Sequence, residues 1–248
     1  MATYRKNFIT QAVFQVDFNP IQTQSFINFI ANKWDFNHKR GQQEVRTNNF
    51  QFSNEEFSSR INTWIVWVCD DNDWLKIEVW NTYILIVFDT EEYKNQEIIT
   101  KEFNFINAFI EHNSIEVLNR IYIRYINEFN AQKLWINAPT NRSKFIKDEL
   151  LSPISVWGEY WDLRRAMTQT LSVEDWYMIS TKYWLWNNQF PWPVTDFNFI
   201  LDLEVRSQFP IEWCKDVWDY FKKYKEKNNM IFENSIKEDL RDFLNKDE

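Results

Sequence analysis

Glycine is nearly missing from this chain: Gly41 and Gly158 are the only two in 248 residues, and they lie far apart. A dinucleotide fingerprint, a Walker-type phosphate loop and a G-x-S-x-G nucleophile elbow all need clustered glycines, so all three are excluded. Histidine and cysteine are equally scarce, at two each. His38 and His112 cannot build a multi-histidine metal site, and Cys69 with Cys214 cannot build a zinc-binding cysteine cluster. Two isolated thiols, one in a strand-like run and one on a helix-like face, fit a reducing compartment better than a disulfide scaffold. A basic excess is missing as well. The 28 Lys and Arg stand against 36 Asp and Glu, for a formal charge of −8. That balance lacks the electrostatic footprint of non-specific nucleic-acid binding. The longest apolar runs, such as Tyr83–Phe88, fall far short of a membrane span. The N-terminal stretch has no apolar core followed by a small-residue cleavage site, so no signal peptide is expected. The expectation is a cytoplasmic protein with no membrane contact and no cofactor.

What the chain has in abundance is aromatic surface. Its 14 Trp, 22 Phe and 10 Tyr make up 19% of the residues, an apolar load incompatible with disorder. The length suits one large domain or two small ones and is ample for a core.

The pattern along the chain alternates between sheet and helix. Phe8–Phe18 reads as a strand, and Asn19-Pro20 then signals a helix start, with Asn as N-cap and Pro in the first turn. That helix is expected to run to about Trp34. A polar loop over Phe36–Thr47 leads to a strand around Val45–Phe52. Ile61–Cys69, apolar on both faces, has the mark of a central strand. Trp74–Trp80 alternates with Leu75, Ile77 and Val79 inward, and Tyr83–Phe88 completes a meander. Asn95–His112 carries Ile99, Phe103, Ile106 and Ile110 at helical spacing, and Asn113 ends the helix. Residues 131–156 form a loose connecting segment with a short helix around Ser143–Leu151. Beyond it, Trp157–Met167 and Trp176–Trp186 read as a hairpin joined by the loop Thr168–Asp175, and Phe197–Arg206 as a strand. Pro210 is expected to open a helix through Lys227, and a last helix to start near Asn229. The expected fold is α+β: curved, mainly antiparallel sheet packed by four to five helices. It is expected as an N-terminal α+β half over 1–130 and a C-terminal half over 157–248, together forming one compact unit.

Val117–Phe129 is the stretch around which the rest is organised. Successive strand residues point to opposite faces. One face carries Ile121, Ile123, Tyr125 and Phe129 and is a core face. The other mixes Leu118, Tyr122 and Ile126 with Arg120 and Arg124. A half-buried guanidinium cannot shed its charge and must be paired. Asp202 and Glu204, on the predicted strand Phe197–Arg206, are the expected structural partners of both arginines. The competing reading is an anion or nucleotide site built from Arg120, Tyr122, Arg124 and Asn127, since planar guanidiniums bind phosphate bidentately. Another is a metal-dependent hydrolase built on Asp202 and Glu204.

Other constellations have simpler readings. Asp70, Asp71 and Asp73 could offer oxygens to a hard cation, but the glycine and glutamate positions of an EF-hand loop are absent, and Asp and Asn are what a hairpin turn selects. His38 and His112 lack a positioned partner for general-base work and are expected at the surface. Trp184 and Trp186, with the loop residues Phe190 and Trp192, are the candidates for an exposed aromatic patch that meets a protein partner.

The run Arg120-Ile121-Tyr122-Ile123-Arg124-Tyr125-Ile126-Asn127 resembles the central Arg-x-x-x-Arg-Tyr-Ile-Asn strand of a sporadically distributed family of uncharacterised bacterial proteins. Asn19-Pro20-Ile21 after the first strand, Tyr93 before a helix, the acidic strand Leu201–Val205 and the closing helix Ile231-Phe232-Glu233-Asn234-Ser235-Ile236 fit the same pattern. Tyr122 departs from it, standing where a glycine is common. The resemblance spans nearly the whole chain and implies a fold and its boundaries; that family brings no established activity. Its patchy distribution implies an accessory gene of a mobile element or an antiviral defence system. Taken together, the expectation is a binding module without catalysis of its own, a recognition or accessory subunit. A protein partner is the expected ligand and a homodimer a candidate assembly; nucleic acid is the less favoured alternative.

Overall fold

The structure, a computed structural model, describes residues 8–22, 24–25, 28–29, 40–52, 57–71, 75–89, 96–130, 144–150, 166–187, 197–214 and 216–245. The fold is α+β, with a mostly antiparallel open sheet. Its strands are β1 (Ile9–Phe18), β2 (Arg40–Phe52), β3 (Phe57–Asp71), β4 (Leu75–Val79), β5 (Tyr83–Asp89), β6 (Val117–Asn130), β7 (Ala166–Glu174), β8 (Tyr177–Asn187), β9 (Phe197–Ser207) and the short β10 (Ile211–Glu212). The helices with defined bounds are α1 (Gln96–His112), α2 (Val217–Ser235) and α3 (Glu238–Asn245). The chain divides into two compact units: Phe14–Arg120 with Pro210–Val217, and Met1–Val13 with Ile121–Phe209 and Trp218–Glu248. The division falls inside β1 and β6, whereas the loose segment 131–156 is where the sequence reading places it.

In the first unit the strand order is β2-β3-β4-β5-β1. β4 and β5 bury Ile77, Val79, Ile84, Ile86 and Phe88 completely, as strict alternation demands of a half-covered sheet. Helix α1 lays Ile99, Phe103, Ile106, Phe109 and Ile110 into the same core, one stripe at helical spacing. Phe14 meets Phe88 and Phe103 edge to face, with centroids 5.4 and 5.2 Å apart, the arrangement that the ring quadrupole favours. The end of α1 is closed by Ile115 N–H donating to Ile110 O, with Ser114 in the left-handed region at φ 49°.

In the second unit the order is β1-β6-β9-β8-β7. One face of this sheet, formed by Phe129, Phe199, Leu201, Leu203, Tyr183 and Leu185, is buried with Ile236, Leu240 and Leu244 from the end of α2 and from α3. Arg241 ties those two helices together: its guanidinium donates to Glu233 and Glu238 carboxylates and to the Ile236 carbonyl.

Four expectations are corrected. The expected loop Thr168–Asp175 is strand up to Glu174: β7 pairs with β8 over nine consecutive residues, and the two-residue turn Asp175-Trp176 joins them. Asp175 takes φ 51°, as such tight hairpin turns require and as Asp tolerates. Pro210 opens no helix. It precedes β10, which pairs with Leu118 and Val117 of β6, and α2 starts only at Val217. The last boundary is at Ser235, not Asn229, because the fully buried Asn228 donates its amide to Leu203 O and is therefore at home inside α2. The strand expected at Val45–Phe52 also begins earlier, at Arg40. Most of the helix expected after Pro20, all of the 157–165 stretch and the Asp73 turn position lie outside the described residues.

Candidate functional site

The two arginines of β6 find different partners. Arg120 pairs with Asp17, on β1: its Nε donates to Oδ2 at 2.6 Å. Both residues belong to the first unit. The sequence reading assigned Arg120 to the acids of β9, and that assignment is corrected. Arg124 does meet β9. Its Nε and Nη2 donate to Asp202 Oδ1 and Oδ2, each at 2.8 Å, a two-pronged fork on one carboxylate.

The register explains the geometry. Arg124 stands opposite Glu204, and Asp202 is the diagonal neighbour, within reach of a long side chain. Lys182 of β8 stands opposite Asp202 from the other side, with Nζ 3.9 Å from Oδ2. Arg206 lies 3.7 Å from Glu204 and rests its guanidinium on the Met178 sulfur. The result is a ladder of alternating charge across β8, β9 and β6, on the face opposite the core cluster. Asp202 is the buried member, with 1% of its side chain exposed against 32% for Arg124. The hydrogen bonds that Arg124 donates to Asp202, together with the charges of Asp202 and Glu204, hold its guanidinium above its ordinary pKa range, against the opposing effect of burial.

Asn127 points to the other side, where it is buried and its amide donates to Leu201 O. It is therefore separated by the sheet from Arg124, Asp202 and Glu204. Tyr122 is half-buried on the ladder face, opposite Arg206. A divalent cation between Asp202 and Glu204 would have to displace the Arg124 fork, and among the described residues no group of three or more His, Cys, Asp and Glu side chains is placed to hold a metal. His112 is exposed at the end of α1, its ring 5.2 Å from that of Phe29; His38 lies outside the described residues.

The ladder face continues outward onto apolar surface. Trp184 of β8 is half-buried opposite Met167 of β7, and Trp186 beside it is 48% exposed. Along β7, Met167, Gln169, Leu171 and Val173 share this face, and the three apolar residues are 59%, 59% and 55% exposed. At the hairpin tip Trp176 packs edge to face on Phe209, centroids 5.8 Å apart, and both rings stay exposed. Of the aromatic patch expected from sequence, Trp184 and Trp186 belong to this face, and Phe190 and Trp192 lie outside the described residues. The β7 residues were missed because the strand was read as a loop; the alternation of Met167, Leu171 and Val173 with Thr and Ser was the available signal.

Among the described residues of the first unit, two open clefts of about 510 and 580 Å³ are both lined by Ser114, Ile115 and Glu116. The smaller is walled by Glu111, Glu116, the exposed Trp213 and the half-buried Cys214.

No described helix is long and apolar enough to cross a membrane. Comparison with protein-family models and with curated proteins gave no match.

Proposed function

We infer that this protein is a binding module whose working surface is the exposed apolar face of the β7–β8 hairpin, and that it acts by protein contact rather than by chemistry on a substrate. The observation that carries the reading is the row Met167, Leu171 and Val173 with Trp186, held exposed on a regular strand pair. Exposed apolar residues scattered singly are ordinary, whereas several gathered on one face, here flanking the polar pair Gln169–Lys182, mark a contact surface. The charge ladder beside it supports the same reading. Arg120 and Arg124, the groups an anion site would need, already have carboxylates at 2.6 and 2.8 Å. A role as a recognition or accessory subunit of a bacterial defence or mobile-element system rests on the resemblance carried by Arg120–Asn127.

A photo-crosslinking amino acid at Leu171, compared with one at the exposed Asp148, tests this. Covalent adducts to protein in cells are expected from position 171 and not from 148. Equal yields from both positions, or adducts to nucleic acid, would sink the reading.

A further inference from the structure

β7 ends the strand order of its unit, and among the described residues its only ladder neighbour is β8. Sheet edges of this kind present a row of backbone donors and acceptors that can template another strand. Proteins usually blunt them with lysine, proline, a bulge or a covering element. β7 itself, AMTQTLSVE, carries no lysine or proline, and its nine uninterrupted pairs with β8 leave no bulge. Among the described residues no strand pairs with its outer edge. Its sole charge is the terminal Glu174, and that carboxylate is engaged by Lys227 at 2.5 Å.

We propose that β7 pairs antiparallel with β7 of a second copy of this chain, joining two sheets across a twofold axis at Thr170. The inference rests on the hairpin reading above and names its partner. A second copy is indicated because the strand is complementary to itself on both faces. About an axis at Thr170, Met167 falls opposite the partner's Val173, and Leu171 opposite the partner's Gln169. On the other face Thr168 falls opposite the partner's Ser172, and Thr170 opposite the partner's Thr170. Cross-strand apolar pairs and Thr–Ser or Thr–Thr pairs both stabilise antiparallel sheet. Thr168 Oγ1 is buried without a hydrogen-bond partner among the described residues, and this register sets a hydroxyl opposite it. Charge agrees. The chain carries a net −8, yet Met167–Val173 is uncharged, so the seam brings no like charges together. Glu174 falls opposite the partner's Ala166.

Sedimentation velocity on the full chain over a dilution series, with hydrogen exchange at residues 166–174, tests the proposal. The expected result is a concentration-dependent dimer whose β7 amides gain protection as it forms. Leu171→Lys, at an exposed position, is expected to weaken the dimer about tenfold or more because a twofold axis counts the change twice. At dilutions where both are monomeric its thermal midpoint should stay that of the parent, and Trp213→Lys in the other unit should leave the dimer intact. A chain that stays monomeric at every concentration overturns the proposal. So does a dimer that is indifferent to Leu171→Lys and leaves β7 exchange unchanged. A monomer that still yields Leu171 adducts to a different protein overturns self-pairing while the binding-module reading stands.

Discussion

Arg120 and Arg124 sit four residues apart on one strand and have nearly the same side-chain exposure, 38% and 32%. Their acids differ sharply: Asp17 keeps 16% of its side chain exposed and Asp202 only 1%. The difference teaches that the arginine's surroundings alone do not set the worth of such a pair. Asp17 can fall back on water if its partner leaves. Asp202 cannot, and among the described residues its other cation is Lys182, at 3.9 Å.

The sharpest way to break this comparison is to remove each arginine in turn. Arg124→Ala strands a carboxylate out of water and is expected to cost about 3 kcal/mol. For a chain of this size that is a fall of roughly 6–12 °C in thermal midpoint. Asp202→Asn is the next largest effect, about 1–2 kcal/mol, because a half-exposed guanidinium can be solvated when its carboxylate is neutralised. Arg120→Ala should cost less than about 1 kcal/mol, and that loss should shrink further in high salt. Equal midpoints for Arg120→Ala and Arg124→Ala would remove burial of the acid as the deciding factor. The smallest effect concerns pH. A guanidinium whose folded pKa is raised contributes fully below its unfolded pKa and loses that contribution only as pH rises through the folded value. The stability gap between the parent and Arg124→Gln should therefore stay flat from neutral into moderately alkaline solution. A gap that closes there would assign the effect to some other titrating group.

Much of this was readable in advance where one residue type repeats with one period. The α1 stripe, the alternation in β4 and β5 and the core face of β6 all rest on local pattern, and each lies where the pattern puts it. What escaped depends on partners far away in the chain. Nothing near Arg120 points to Asp17, 103 residues earlier. The start of α2 is set by Asn107, whose side chain accepts from Val217 N–H and donates to Asp216, so Pro210 was a local signal with no helix behind it. The run of α2 past Lys227 was not legible, because the buried bond that holds Asn228 goes to Leu203 O on another element. β7 was passed over for a different reason. Both of its faces carry exposed residues, and Gln169 interrupts the apolar side by which a strand is recognised. The ladder was half legible: Asp202 was named for Arg124, but the diagonal geometry and the place of Lys182 follow only from the β6–β9–β8 register.

The passage of β1 and β6 through both compact units has a consequence for how this chain can be inherited. A module that recombines between genes must be one contiguous stretch of coding sequence. Here each unit draws on separated stretches, with Phe14–Arg120 and Pro210–Val217 on one side and three segments on the other. No single cut frees either unit, whether made by a nuclease in a genome or by a protease in a tube. Exchange between relatives should move the chain whole, and limited proteolysis should yield nicked, still-associated fragments before it yields a stable half.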